Sequence, residues 1–382
     1  MPWYYTTTFE VTGNTIDINH RVIYNLYRFQ ILSIKEDVAG LTLHDLANHT
    51  GSDASLDQAR RWLGKCIDSH QDCGSDRDIT FRPSRLLYLG SSDIRLHTSQ
   101  DYPDDLRYMT LSHCWGRLQS TRLQQGNLDF FRRNAIPQEA LPKTFRDAIR
   151  LARHLGADYL WIDRLCIIQD SLEDWQAESV MMGEVYRNSL CNIAATTALD
   201  SSEGCLYPRD PRMLQPTPLV DGFYLCNRTS LDHPYHLYTR AWVLQEILLA
   251  PRTLHCADSQ LYWSCDGMRV SEEFSGGFTG WTPSMCNHPF HGSSKGFVEE
   301  TLRAMIVQMR TADEDLIPSR RGPRPFTLVA YLHTQPFWSS AVRIWGQLVD
   351  IYTRTDLTFD TDRPMAIAGA ADAFRPYLGD YR

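Results

Sequence analysis

Apolar and polar positions alternate most legibly between residues 108 and 195. Tyr108–Ser112 is a short apolar run that ends abruptly in His113, Cys114, Trp115 and Gly116. Phe145, Ala148, Ile149, Ala152 and Leu155 then recur at helical spacing and stop at Gly156, a residue suited to follow a helix C-cap. Tyr159–Asp163 reads as a strand buried on both faces, and Cys191–Ala195 as a third strand. Between them, Ser171-x-x-Asp174 is a capping-box variant. It opens a helix carrying Trp175, Glu178, Met181, Met182, Val185 and Tyr186. Strands alternating with helices of this length predict βαβ crossovers and a parallel sheet.

The flanks are read more coarsely. Residues 84–97 predict a hairpin around Gly90-Ser91-Ser92, and Thr253–Ser264 a second one around Ala257-Asp258-Ser259. Arg240–Glu246 begins another helix. Trp62, Leu63, Cys66, Ile67 and His70 recur at helical spacing, so residues 1 to about 80 are read as mostly helical. Residues 298–309 and 338–353 are read as helical too, 273–295 as a loop, and the Pro-rich stretch after Gly204-Cys205 as a surface excursion. The predicted fold class is α/β, a small parallel sheet with helices on both faces. Its core spans 84–268, between a helical amino-terminal segment (1–83) and a helical carboxyl-terminal segment (269–382) packed on the core.

Composition narrows the partners. The 382 residues suggest two or three compact units, and 43% hydrophobic with 22% charged residues is ordinary for a globular protein. A net charge of −8 and no evident basic face argue against nucleic acid as a main partner. No apolar run approaches the roughly 20 residues of a membrane span, and the amino terminus has no signal-peptide pattern. The ten cysteines are scattered, several within apolar runs, which predicts buried thiols in a reducing compartment and a cytoplasmic protein.

Several side chains can carry chemistry. The carboxyl ends of parallel strands share one edge, where ligands usually bind, so His113, Cys114, Asp163 and Arg164 are expected to converge there. Cys114 with His113 allows a thiolate nucleophile and its base. Neighbours on an extended strand face opposite sides, however, so Asp163 or a distant histidine would have to complete such a site. Against this stands a buried, inert Cys114 and a packed His113. Asp163 and Arg164 can pair or bind a ligand, or Asp163 can cap the next turn; the Arg164 fork suits a phosphate. Glu178 lies on an apolar helix face, so it is either functional or held by Arg164 or Arg240. Arg240, Gln245 and Glu246 either close the site or form a buried polar network. Cys66-x3-His70-x2-Cys73 has zinc-like residue types, and His255, Cys256 and Cys265 invite the same thought. No fourth ligand is evident beyond Asp72 or Asp76. A helix core with a polar tip is expected at Cys66–Cys73, and no metal site is assigned. There is no glycine-rich phosphate loop and no Gly-x-Ser-x-Gly elbow.

Ordered blocks carry a resemblance. They are Tyr108–Gly116, Leu141–Ile149, Leu155–Asp170, Asp174–Glu178, Met182–Tyr186, Asn192–Ala195, Gly204-Cys205, Arg240–Glu246 and Arg252-Thr253-Leu254. Together, over about residues 60 to 265, they resemble the fungal heterokaryon-incompatibility (HET) domain family; Ala241 stands where that family usually has glycine. The resemblance implies a part in fungal non-self recognition and programmed cell death. Through a looser similarity to TIR domains it also implies a flavodoxin-like core and, in some members, NAD cleavage. On that reading Glu178 stabilises an oxocarbenium-like state at the nicotinamide ribose while Trp175 or Trp115 stacks on the base. The expected catalytic set is Glu178, His113, Cys114 and Asp163, and the binding set Trp115, Arg164, Trp175, Arg240 and Glu246. No cofactor is required; NAD or another nucleotide-like molecule is the expected ligand. The alternatives are a non-catalytic signalling module that self-associates, and a recruited secondary-metabolism enzyme using Cys114, His113 and Asp163.

Overall fold

The computed structural model describes residues 7–12, 15–22, 25–27, 29–33, 46–71, 73–75, 77–116, 121–215, 217–218, 223–227, 236–273, 275, 345–346 and 348–378. The amino-terminal expectation needs correction. Residues 7–33 form strands β1 (Thr7–Thr12), β2 (Thr15–Val22), β3 (Asn25–Tyr27) and β4 (Phe29–Ser33), not helix. The helical pattern around Trp62 belongs to α1 (Asp53–Ser69), whose N-cap Ser52 accepts from the Ser55 N–H. Leu56, Ala59, Trp62, Leu63 and Cys66 form its buried face.

The main sheet is built from β5 (Arg85–Tyr88), β6 (Arg95–Thr98), β7 (Tyr108–Ser112), β8 (Tyr159–Trp161), β9 (Cys191–Ala195), β12 (Arg252–Cys256), β13 (Leu261–Cys265) and β14 (Arg269–Ser271). The intervening β10 (Thr217–Pro218) and β11 (Phe223–Asn227) join β4 in a small separate sheet of order β10-β11-β4. The order across the main sheet is β14-β13-β12-β9-β7-β8-β5-β6. The four middle strands are parallel, with Leu111 opposite Ile193 and Met109 opposite Leu160. Both predicted hairpins form and extend the sheet antiparallel on either side. Residues 269–271, assigned above to the carboxyl-terminal segment, belong to this sheet instead.

The helices between the strands are α2 (Leu128–Arg133), α3 (Lys143–His154), α4 (Asp163–Cys166), α5 (Leu172–Arg187) and α6 (Ala241–Leu249). Helix α3 ends in a Schellman motif: Ala157 N–H bonds to Ala152 C=O at 2.9 Å and Gly156 N–H to Arg153 C=O at 3.1 Å. Ser171 caps α5 by accepting from the Asp174 N–H, as its spacing predicts. Every residue of β7, β8, β9, β12 and β13 is buried, as expected for strands covered on both faces. Helix α7 (Arg363–Leu378) lies against α5 and α6, and Gln245 Oε1 accepts from the Gly369 N–H at 3.1 Å. The predicted helix over 298–309 lies outside the described residues, as does all but the last part of 338–353, which is helical where described. No helix among the described residues is long and apolar enough to cross a membrane.

Candidate functional site

Strand β7 sorts its neighbours by alternation. Tyr108, Thr110 and Ser112 face α5 and α6: the Tyr108 hydroxyl donates to Val185 C=O at 2.7 Å, and Asn192 Nδ2 donates to Ser112 Oγ at 2.9 Å. Asn192 Oδ1 also accepts from Thr110 Oγ1 at 3.1 Å. Continuing the alternation, Cys114 sits in an apolar cluster with Ala194, Leu237, Tyr238, Val243 and Ile247. Burial pushes its thiol above the ordinary range, partly offset by Arg240. His113 points the other way, edge-on to Phe145 of α3 with ring centroids 4.9 Å apart. The adjacent thiol and imidazole therefore have separate surroundings.

Asp163 follows β8 after one residue, Ile162, and opens α4. Its Oδ1 accepts from the Arg164 backbone N–H at 2.6 Å and its Oδ2 from Trp115 Nε1 at 2.7 Å. The N-cap of α4 is Ile162, so Asp163 does not take the capping position foreseen for it. His113 Nδ1 lies 3.8 Å from Asp163 Oδ1, too far for a hydrogen bond, and both ring nitrogens of His113 are buried without one. Burial lowers the His113 pKa to about 4 despite Asp163, with Arg240 and Arg164 adding to the fall. The ring is therefore neutral at physiological pH. The Arg164 guanidinium lies 5.0 Å from the Trp115 ring centre, a cation–π contact. Gly116 has φ +68°, and a Cβ there would lie 2.1 Å from Asp200 Cβ. Only glycine lets the chain leave Trp115 past this loop, where Ser201 Oγ donates to Cys114 C=O at 3.1 Å.

Glu178 is held elsewhere. Arg85, the first residue of β5, contacts Asp174 at 2.7 Å and Glu178 at 3.2 Å, while its Nε donates to Cys166 C=O at 2.6 Å. The partner of Glu178 is thus Arg85, and neither Arg164 nor Arg240, the two expected, holds it. Burial raises the Glu178 pKa, opposed by Ser84 and Arg85. Trp175 packs partly buried against the main core. Met181, expected on the same apolar face as Glu178, is exposed; the buried face is Glu178, Ser179, Met182, Gly183, Val185 and Tyr186.

Glu246 completes the arrangement from α6. Its carboxyl is enclosed near Ser112, Tyr186, Arg240 and Asp163, and burial pushes its pKa up to about 7 against the pull of Ser112 and Arg240. Its Oε2 is buried without a hydrogen bond. Arg240, the N-cap of α6, donates to His113 C=O. Two groupings therefore replace the single convergent site foreseen. One joins His113, Trp115, Asp163 and Arg164, with Arg240 and Glu246 beside it; the other joins Arg85, Asp174 and Glu178. Glu246 belongs to the binding set expected from the sequence, whereas Arg85 is visible only through its long-range placement.

The family model described as Heterokaryon incompatibility protein (HET) matches residues 108–246. This segment is a HET domain. It runs from the first residue of β7 into α6, and so contains both groupings except Arg85. No curated protein and no solved structure matches the chain.

Proposed function

We propose that the chain serves fungal non-self recognition as a HET-type signalling module, setting off cell death through a change in its associations and not by turning over a substrate. Burial carries this reading: His113 and Cys114 are 3% exposed, Glu178 and Glu246 5%. A group that reacts with a substrate has to meet it, and Glu178 is enclosed in an ion-pair cluster. The outer face of α5 suits association. It carries Leu172, Val180 and Met181 at 71%, 64% and 42% exposure, apolar side chains that a partner would cover. Glu178→Gln, shown to be folded by its melting curve, is expected to kill a fungal host as the parent chain does, whereas Val180→Glu with Met181→Glu is expected to abolish both killing and self-association. Loss of killing in a well-folded Glu178→Gln chain overturns the proposal.

A second reading, NAD binding or hydrolysis, draws support from the Asp163–Trp115–Arg164 grouping. An indole, a guanidinium and a carboxylate stand at the carboxyl edge of the parallel strands, and the Asp163 side chain keeps 20% exposure. The purified full chain separates the two readings: nicotinamide released from NAD, and lost in Asp163→Asn, favours the second.

A further inference from the structure

The end of α1 and the hairpin β13–β14 bring together four ligating side chains remote from both groupings above. Cys66 and His70 lie one helical turn apart, and the His70 N–H closes the helix on Cys66 C=O at 3.1 Å. A tight turn follows, with Cys73 N–H bonded to His70 C=O at 3.3 Å. Cys265 comes from the far side of the chain, 195 residues from His70, and its Sγ lies 3.4 Å from His70 Nδ1. The three sulfurs and the imidazole nitrogen all lie within 4.8 Å of one another, and the three cysteines are buried. Tetrahedral zinc with Zn–S of about 2.3 Å and Zn–N of about 2.0 Å sets its ligand atoms roughly 3.5–3.8 Å apart, so a small contraction completes the geometry. We propose that Cys66, His70, Cys73 and Cys265 bind zinc in a closed four-ligand structural site.

The surroundings fit an anionic centre. Arg252 is 5% exposed and, among the described residues, pairs with no carboxylate. Its Nε instead meets Cys66 Sγ at 3.1 Å, and its two terminal nitrogens donate to Cys73 and Leu190 carbonyls. A buried cation of this kind calls for a counter-charge. Three thiolates and a neutral imidazole around Zn2+ carry one net negative charge, which Arg252 neutralises. The Trp263 indole N–H, on the same strand as Cys265, is buried without a hydrogen bond among the described residues. Gly267 makes room for the imidazole: a Cβ there would lie 2.8 Å from His70 Cγ. On binding, each thiol releases its proton to solvent and its sulfur lone pair goes to the metal. Soft sulfur with one nitrogen selects zinc over harder cations. Cys265 is the fourth ligand that local spacing could not supply. Asp72 and Asp76, the two considered for that place, lie outside the described residues.

The test is metal analysis of the full-length chain purified without chelators, followed by cobalt exchange. One zinc per chain is expected, together with the visible bands of tetrahedral cobalt and thiolate-to-cobalt charge transfer. Cys265→Ser is expected to lose stoichiometric zinc. Because that variant can also unfold, His70→Cys serves as the second arm: it is expected to keep zinc and move the cobalt bands to longer wavelength, as a fourth sulfur requires. Folded parent protein that carries no zinc and takes up no cobalt overturns the proposal. So does a disulfide among the three cysteines in the freshly purified chain, or a His70→Cys cobalt spectrum identical to the parent's.

Discussion

Two arginines, the largely buried Arg85 and the buried Arg252, stand on opposite sides of the same sheet under different electrostatic terms. Arg85 bridges Asp174 and Glu178, side chains of α5, so its charge is met by carboxylates of the chain itself. Arg252 on β12 meets a sulfur and two carbonyls and has no carboxylate among the described residues. The first region supplies its counter-charge from the polypeptide; the second, on the proposal above, takes it from metal-bound thiolates. A buried guanidinium is therefore informative by its partner set as much as by its position.

The largest effect should come from breaking the self-sufficient region. Arg85→Met leaves two largely buried carboxylates without their cation, which costs on the order of 3 kcal/mol, the lower end of the usual range because Asp174 keeps 18% exposure. Urea denaturation should show this loss with or without chelator, and adding Glu178→Gln should restore part of it.

Next in size is a pair of opposed pH effects inside the HET domain. The Glu246 carboxyl, raised by burial from 4.5 to about 7, keeps its proton in the folded state while the unfolded chain ionises. Stability from this group therefore falls as pH rises between those values. His113, lowered by burial from 6.5 to about 4, stays neutral when folded while the unfolded chain takes up a proton. Its contribution therefore rises with pH between those values. Each amounts to about 3 kcal/mol over its full range, and across pH 5–6.5 they nearly cancel. Glu246→Gln should leave only the rising limb, so that urea midpoints increase from pH 5 to pH 7; His113→Gln should leave only the falling one. Parallel slopes in the two variants would remove this opposition.

The smallest effect sharpens the comparison most. Arg252→Met should weaken zinc affinity about tenfold to a hundredfold, as the loss of a partner to a ligand does. In chelator-treated protein the same change should be near neutral, because no anionic centre then remains to be paired. A large loss without metal would make Arg252 a structural residue like Arg85.

How much of this was legible in the sequence depended on sequence separation. Strands β7 and β9, the Ser171 cap and the end of α3 at Gly156 were readable because each is fixed by residues within one turn or one strand. The opposed directions of His113 and Cys114 followed from strand alternation alone. The amino-terminal strands are marked only by the short alternation Ile16-Asp17-Ile18-Asn19, a weaker signal than the helical pattern of residues 62–70 that follows it. The pairing of Glu178 with Arg85 and the approach of Cys265 to Cys66 depend on sheet order, which no local pattern encodes.

The sheet order has a consequence for handling the HET domain by itself. The strands within the matched block, β7, β8 and β9, sit in the middle, and the strands that flank them, β5 and β12, lie outside it on opposite sides in sequence. A fragment cut at residues 108 and 246 would expose two long-buried edges with unpaired amides and carbonyls, the template on which foreign strands add. The matched segment is thus the centre of a larger sheet, and the strands that border it protect its edges.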